Sequence, residues 1–234
     1  MKISVTAMVG IAASIVALSV LSAVAGPIVY SDAMSAPTPV EARVMPTVRQ
    51  DAPEIIADTP AGLSGDWTLT TGSKAGYRLD EVLNGSEVTV TGSTEHVSGQ
   101  ASMSGLTLTA ASFSVDVASI TSDNITRDSF FRLQALQASE FPQATFTMTG
   151  PAVSAVEPQL GVPQTLSAQG ELTLRGVTKQ VTVELTAVLG KTSVLVTGSV
   201  PISFMDFGVE PPKLGFVTVE DTGFVDFTLN LIPS

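Results

Sequence analysis

From Leu63 to the C-terminus the chain is written in short runs of alternating apolar and polar residues, broken by Gly, Asn and Pro. A period of two places every second side chain on one face of an extended strand, so such a chain buries its apolar face by building antiparallel sheet. Trp67-Thr68-Leu69 opens the series, Val88-Thr89-Val90-Thr91 follows the turn signal Asn84-Gly85, and Phe113-Ser114-Val115-Asp116-Val117 alternates without a break. Phe146-Thr147-Met148, Glu171 to Leu174, Val181 to Leu185, Val194 to Phe204 and Val225 to Leu231 continue it. About eight strands of this length predict an all-β antiparallel barrel or sandwich. Arg175-Gly176, between two alternating runs, reads as a hairpin turn and lacks the spacing of a phosphate-binding loop.

One segment departs from this pattern. Between Asp123 and Phe141 the residues Phe130, Phe131, Leu133 and Leu136 recur at mixed intervals and Pro142 supplies a stop, which predicts a helix with Asp123 or Asn124 as its N-cap. A lone helix among strands plugs or caps a barrel end. The strand pattern also predicts an inward face: Phe113, Val115, Val117, Phe146, Met148, Val181, Val183 and Leu185 alternate with Ser, Thr, Asp and Glu. Alternation alone does not separate a packed interior from a hollow one.

Two further pieces precede this domain, which is read as residues 63–234. Ile3 to Tyr30 holds no charged residue, and a helix over it rises roughly 42 Å at about 1.5 Å per residue, more than a bilayer core requires. Residues 1–30 are read as a membrane helix, or alternatively as a signal segment cleaved after Ala23-Val24-Ala25. Lys2 on the N-terminal side puts everything beyond Tyr30 on the extracytoplasmic face, tethered to the cell membrane or, after cleavage, periplasmic or secreted. Residues 31–62, with Pro37, Pro39, Pro46, Pro53 and Pro60, read as a flexible Pro-rich linker.

The chemistry available to this chain is narrow. It has no cysteine and one histidine, His96, so thiolate sites, most zinc sites and most Ser/His relays are excluded, and no metal or cofactor is expected. A net charge of −11 opposes binding to nucleic acid. The acid pairs Asp80-Glu81 and Glu220-Asp221 read as solvated turn or strand-edge charges rather than as an acid/base couple, so no catalytic residue is assigned. Arg127-Asp128 opens the predicted helix, where the carboxylate suits the helix dipole and the arginine suits a strand acid or a ligand head group.

Across roughly Asp66 to Leu231 the chain resembles the YceI-like family of lipocalin-like polyisoprenoid-binding proteins. The resemblance is carried by Trp67, the run Phe113 to Asp123, Arg127-Asp128, Phe141-Pro142 through Phe146, Gly170 to Lys179, and Phe204-Met205-Asp206-Phe207-Gly208-Val209. The segment Lys74 to Gly85 departs from the plainer strand pair of common members. The resemblance implies an eight-stranded antiparallel barrel with a helix near one end and an apolar tunnel that holds a polyprenyl lipid or isoprenoid quinone. The predicted lining residues would then contact that lipid, with Arg127 and Asp128 at its head group. A structural or interaction module with a filled barrel and no ligand is the other reading.

Overall fold

The computed structural model describes residues 60–215 and 217–234; the predicted membrane segment and nearly all of the linker lie outside them. A 3-10 turn, Pro60–Leu63, leads into twelve strands: β1 Gly65–Leu69, β2 Lys74–Leu83, β3 Ser86–Thr94, β4 Val97–Ser104, β5 Thr107–Asp116, β6 Gln143–Met148, β7 Ala152–Val153, β8 Pro163–Leu174, β9 Val177–Leu189, β10 Val194–Ser203, β11 Lys213–Leu214 and β12 Val217–Pro233.

Eight of them close a ring. The neighbours run β1-β4-β5-β6-β8-β9-β10-β12, and β12 returns to β1 through Trp67 opposite Pro233 and Leu69 opposite Leu231, every pairing antiparallel. Closure removes the unpaired edges that an open sheet leaves exposed. The β2–β3 hairpin is an annex: β2 pairs with β12 over Val217 to Thr228, the stretch that precedes the part of β12 that meets β1. A bulge between Val219 and Gly223 bends β12 there. Glu220 and Asp221 sit in that bulge and face solvent.

The tight turns follow from their residues. Asn84-Gly85 joins β2 to β3 and Arg175-Gly176 joins β8 to β9, each with two consecutive positive φ values (51° and 82°, 49° and 72°), as two-residue hairpin turns that match strand twist require.

The predicted helix is shorter than expected. Asn124 caps it, its side-chain oxygen accepting from the backbone N–H of Thr126 and Arg127 at 2.9 and 3.0 Å, and α1 runs only from Ile125 to Phe130. A single wider π turn, Phe131–Ala135, follows, and Gln137 at φ 49° ends it well before Phe141. Ala135 and Leu136 pack on Leu172, Leu174, Val183, Val200, Phe207 and Val209, one of two apolar clusters in the barrel. The other, around Leu63, Trp67, Ala101, Ala111, Leu189 and Leu231, lies towards the opposite end. The first cluster marks the helix end of the barrel and the second its loop end. No helix among the described residues is long and apolar enough to cross a membrane.

Candidate functional site

Between the two clusters the barrel encloses a cavity of about 200 Å³. Its wall comes from the alternate residues of the ring strands: Ala101 and Met103 on β4, Phe113 and Val115 on β5, Phe146 and Met148 on β6, Leu166 and Ala168 on β8, Val183, Leu185 and Ala187 on β9, Val194 and Val196 on β10, Val225 and Phe227 on β12. Many of these inward side chains, including Phe113, Val115, Phe146, Leu185 and Phe227, are only half-buried although they point away from bulk solvent. Their remaining surface faces the cavity. A packed core at native density would cover it.

Three glycines explain how the interior stays open. A Cβ on Gly198 would stand 2.3 Å from the Phe227 ring, one on Gly170 2.4 Å from the Phe146 ring, and one on Gly99 2.4 Å from the Phe113 ring. Gly198 and Gly99 are the cross-strand partners of Phe227 and Phe113, and Gly170 lies beside Phe146 on the neighbouring strand. Each ring therefore lies against bare backbone on the barrel wall, where any larger residue would drive it inward.

Of the described residues in the lining, three carry polar side chains: Thr145, Ser154 and Gln164. The last two lie at the loop end, Ser154 in the β7–β8 connection and Gln164 at the start of β8, and satisfy each other: Ser154 Oγ donates to Gln164 Oε1 at 2.6 Å, and Gln164 Nε2 to the Glu157 carbonyl at 3.2 Å. Leu106, Pro158 and Val162, also from turns at this end, complete the lining. Val162 lines the cavity while remaining 46% exposed, so the cavity extends to solvent-facing residues at this end.

Six of the eight predicted lining residues, Phe113, Val115, Phe146, Met148, Val183 and Leu185, lie on this cavity. Two do not. Val117 is 2% exposed, but β5 has ended at Asp116, whose side chain caps a 3-10 turn Val117–Ser119, and the period of two no longer applies. Val181 keeps the inward row of β9 but packs into the cluster at the helix end and does not line the cavity.

Arg127 and Asp128 also lie off the cavity. Arg127 pairs with Glu81 of β2 at 3.5 Å and with Asp123, and Asp128 accepts from the Ser122 N–H and hydroxyl at 2.8 and 2.7 Å. These bonds tie α1 to the hairpin annex and engage both side chains within the protein. Tyr77 on β2 stacks on Phe131 with ring centroids 4.6 Å apart. Burial pushes the Tyr77 hydroxyl up to about 12, against the opposing pull of Arg127. Burial likewise raises the Glu81 carboxyl above its ordinary range, again opposed by Arg127. Glu81 is 3% exposed, so it is not the solvated charge expected from the sequence; its neighbour Asp80 is exposed and accepts from the Thr89 hydroxyl. His96 is exposed between β3 and β4, 3.8 Å from Asp116.

A closed eight-stranded antiparallel barrel around an apolar cavity is the architecture of small lipocalin-like barrels. More narrowly, the chain belongs to the YceI-like family, whose domain matches residues 67–231. Solved structures that share the fold include two that cover most of the domain. One is Burkholderia cenocepacia BcnA, with 22% identity over 68% of this chain and 95% of that one and a TM-score of 0.56. The other is a polyisoprenoid binding domain from Saccharophagus degradans implicated in plant cell wall breakdown, with 20% identity over 72% and 98% and a TM-score of 0.58. No curated protein matches the chain.

Proposed function

We propose that the barrel binds the tail of one isoprenoid lipid, a polyprenyl or isoprenoid quinone type, on the extracytoplasmic side of the membrane, and acts as a carrier or store rather than as an enzyme. The observation that carries this reading is the cavity wall, apolar except for Thr145 on β6 and, at the loop end, Ser154 and Gln164, which bond to each other. An apolar wall without unpaired polar groups costs an apolar chain nothing in desolvation and holds no strongly bound water. Membership of the YceI-like family and the fold shared with a polyisoprenoid binding domain support the same class of ligand.

The volume constrains the fit. An apolar cavity of about 150 Å³ takes one benzene, so a cavity of about 200 Å³ takes roughly eight carbons, or about one to two isoprene units. A longer tail continues out through the opening. Burial of each methylene contributes about 0.8 kcal/mol over water, but a bilayer supplies nearly the same, so transfer between membrane and barrel is close to balanced and reversible. Phe113, Val115, Phe146, Met148, Val183 and Leu185 make the wall against which the tail lies.

The test is mass spectrometry of lipid extracted from the purified protein, together with the variant Val115→Trp. Wild type should carry or take up stoichiometric isoprenoid. Val115→Trp should lose it while stability changes by less than about 1 kcal/mol, because the indole enters the cavity instead of overpacking a filled core, which costs about 1–3 kcal/mol. A folded wild-type protein that neither carries isoprenoid nor takes it up from loaded vesicles would return the barrel to the role of a structural module.

A further inference from the structure

The β7–β8 connection has two faces. One, through Ser154, Pro158 and Val162, forms the rim of the cavity. The other turns Val153, Val156 and Leu160 into solvent, with Leu160 54% exposed, beside the half-exposed Val162. The loop is held in this attitude by its backbone: Leu160 bridges Leu189, the Gly161 N–H donates to the Leu189 carbonyl at 2.8 Å, and the Ser154 N–H to that of Leu106 at 2.9 Å. The apolar side chains are thus presented by a fixed scaffold.

We infer that this loop end docks on the surface of a phospholipid bilayer, with Val153, Val156, Leu160 and Val162 inserted, so that the cavity opens directly onto hydrocarbon. The apolar patch is continuous with the cavity lining through Val162, so insertion leaves no aqueous gap for a lipid tail to cross. Charge fits a bilayer of neutral head groups. The chain carries −11 overall, yet the turns at this end with their flanking residues, 104–107, 153–162 and 190–193, contain one acid and one base, Glu157 and Lys191, and Asp66 on neighbouring β1 is engaged by the Ser102 hydroxyl. The tether enters at the same end: Ser64 Oγ accepts from the Gly105 N–H at 2.8 Å in the β4–β5 turn, and Leu63 lines the cavity. A chain leading back towards the uncharged Ile3–Tyr30 run therefore leaves the barrel beside its opening. This inference rests on the lipid-binding reading for its purpose but not for its test.

The chain has no cysteine, so a single introduced thiol is labelled uniquely. The full chain bearing Leu160→Cys, or as control Leu133→Cys at the helix end (68% exposed), carries an environment-sensitive fluorophore and is reconstituted into phosphatidylcholine vesicles free of isoprenoid. The label at 160 should shift to the blue and be quenched by spin-labelled lipid several-fold more than the label at 133. Equal quenching, stronger quenching at 133, or a blue shift at 160 that needs no lipid would overturn the inference; the last would put a second copy or another segment of the chain on the patch. The double variant Val156→Asp with Leu160→Asp should slow isoprenoid transfer from vesicles by at least about tenfold and leave uptake from detergent micelles unchanged. Lipid-dependent quenching at 160 in a protein that binds no isoprenoid would keep the docking and remove the proposed function.

Discussion

At the helix end, Asn124 caps α1, Arg127 spans from Asp123 to the buried Glu81, Tyr77 stacks on Phe131, and Leu136 packs onto the barrel among Phe207 and Val209. At the loop end, turns of balanced charge carry exposed valine and leucine, and the polar side chains nearest the cavity, Ser154 and Gln164, bond to each other. The first end fixes a geometry through charges held out of water, which tolerate little displacement because separating them leaves a buried ion unpaired. The second commits few side chains to the interior, and moving it leaves no charge stranded. For the proposed carrier this division would separate two tasks: one end keeps the closed ring in shape, and the other lies where a ligand would pass.

The comparison breaks most sharply at Arg127. Arg127→Ala leaves Glu81 with no cation beside it in a buried position, and removing one partner of a buried pair costs about 3–5 kcal/mol. Chemical denaturation should show a loss of that order, and Arg127→Lys should restore only part of it, since an ammonium lacks the planar fork that reaches Asp123 and Glu81 together. A loss below about 1 kcal/mol would mean that the helix end is no more firmly held than the loop end.

Alkaline titration gives the next largest effect. The Tyr77 hydroxyl is raised from 10.0 to about 12 in the folded protein, so between these values the unfolded chain gives up a proton that the folded one retains. Ionisation then favours the unfolded state. The stability this group contributes is complete below pH 10 and is lost as pH rises towards 12, at no more than about 1.4 kcal/mol per pH unit. Tyr77→Phe should flatten that part of the stability-against-pH curve. An unchanged slope would mean that Tyr77 titrates alike in both states.

How much of this was legible in the sequence depends on what each feature is made of. Alternation is local, so the rows through Val115 and Val183 and the turns at Asn84-Gly85 and Arg175-Gly176 are readable from neighbouring residues. Strand β2 is harder, because its inward row, Ala75, Tyr77, Leu79, Glu81 and Leu83, is broken by an acid whose partner lies 46 residues away. Strand β4 is hidden by Gly99 and Ala101, small because the Phe113 ring lies against Gly99. The choice between a filled and a hollow barrel rests on the same kind of fact: rings on Phe113, Phe146 and Phe227 clear the interior only because cross-strand register sets glycines beside them. No window of sequence contains both members of such a pair. The helix was overextended for the opposite reason: Leu133 and Leu136 keep an approximate helical spacing through a π turn, and Gln137 ends it with a backbone conformation that composition does not signal.

The smallest expected effect sharpens the comparison by pairing like with like. Leu136→Ala and Leu160→Ala remove the same atoms from leucines at opposite ends. Leu136 is half-buried against Phe207 and its neighbours, so its loss forfeits apolar burial and leaves a gap, at about 2 kcal/mol, the low end of the range for buried leucines. Leu160 already spends more than half of its surface in water, and its backbone contacts to Leu189 do not depend on its side chain. Leu160→Ala should therefore change stability by no more than about 0.5 kcal/mol in either direction. Denaturation midpoints of the two variants, compared at equal denaturant dependence, give the difference directly. A loss at 160 matching that at 136 would show that the loop is part of the packed fold, and its exposed leucine would then need no bilayer to account for it. A silent substitution leaves a large apolar side chain that the fold does not require, in a loop whose other face is the rim of the cavity.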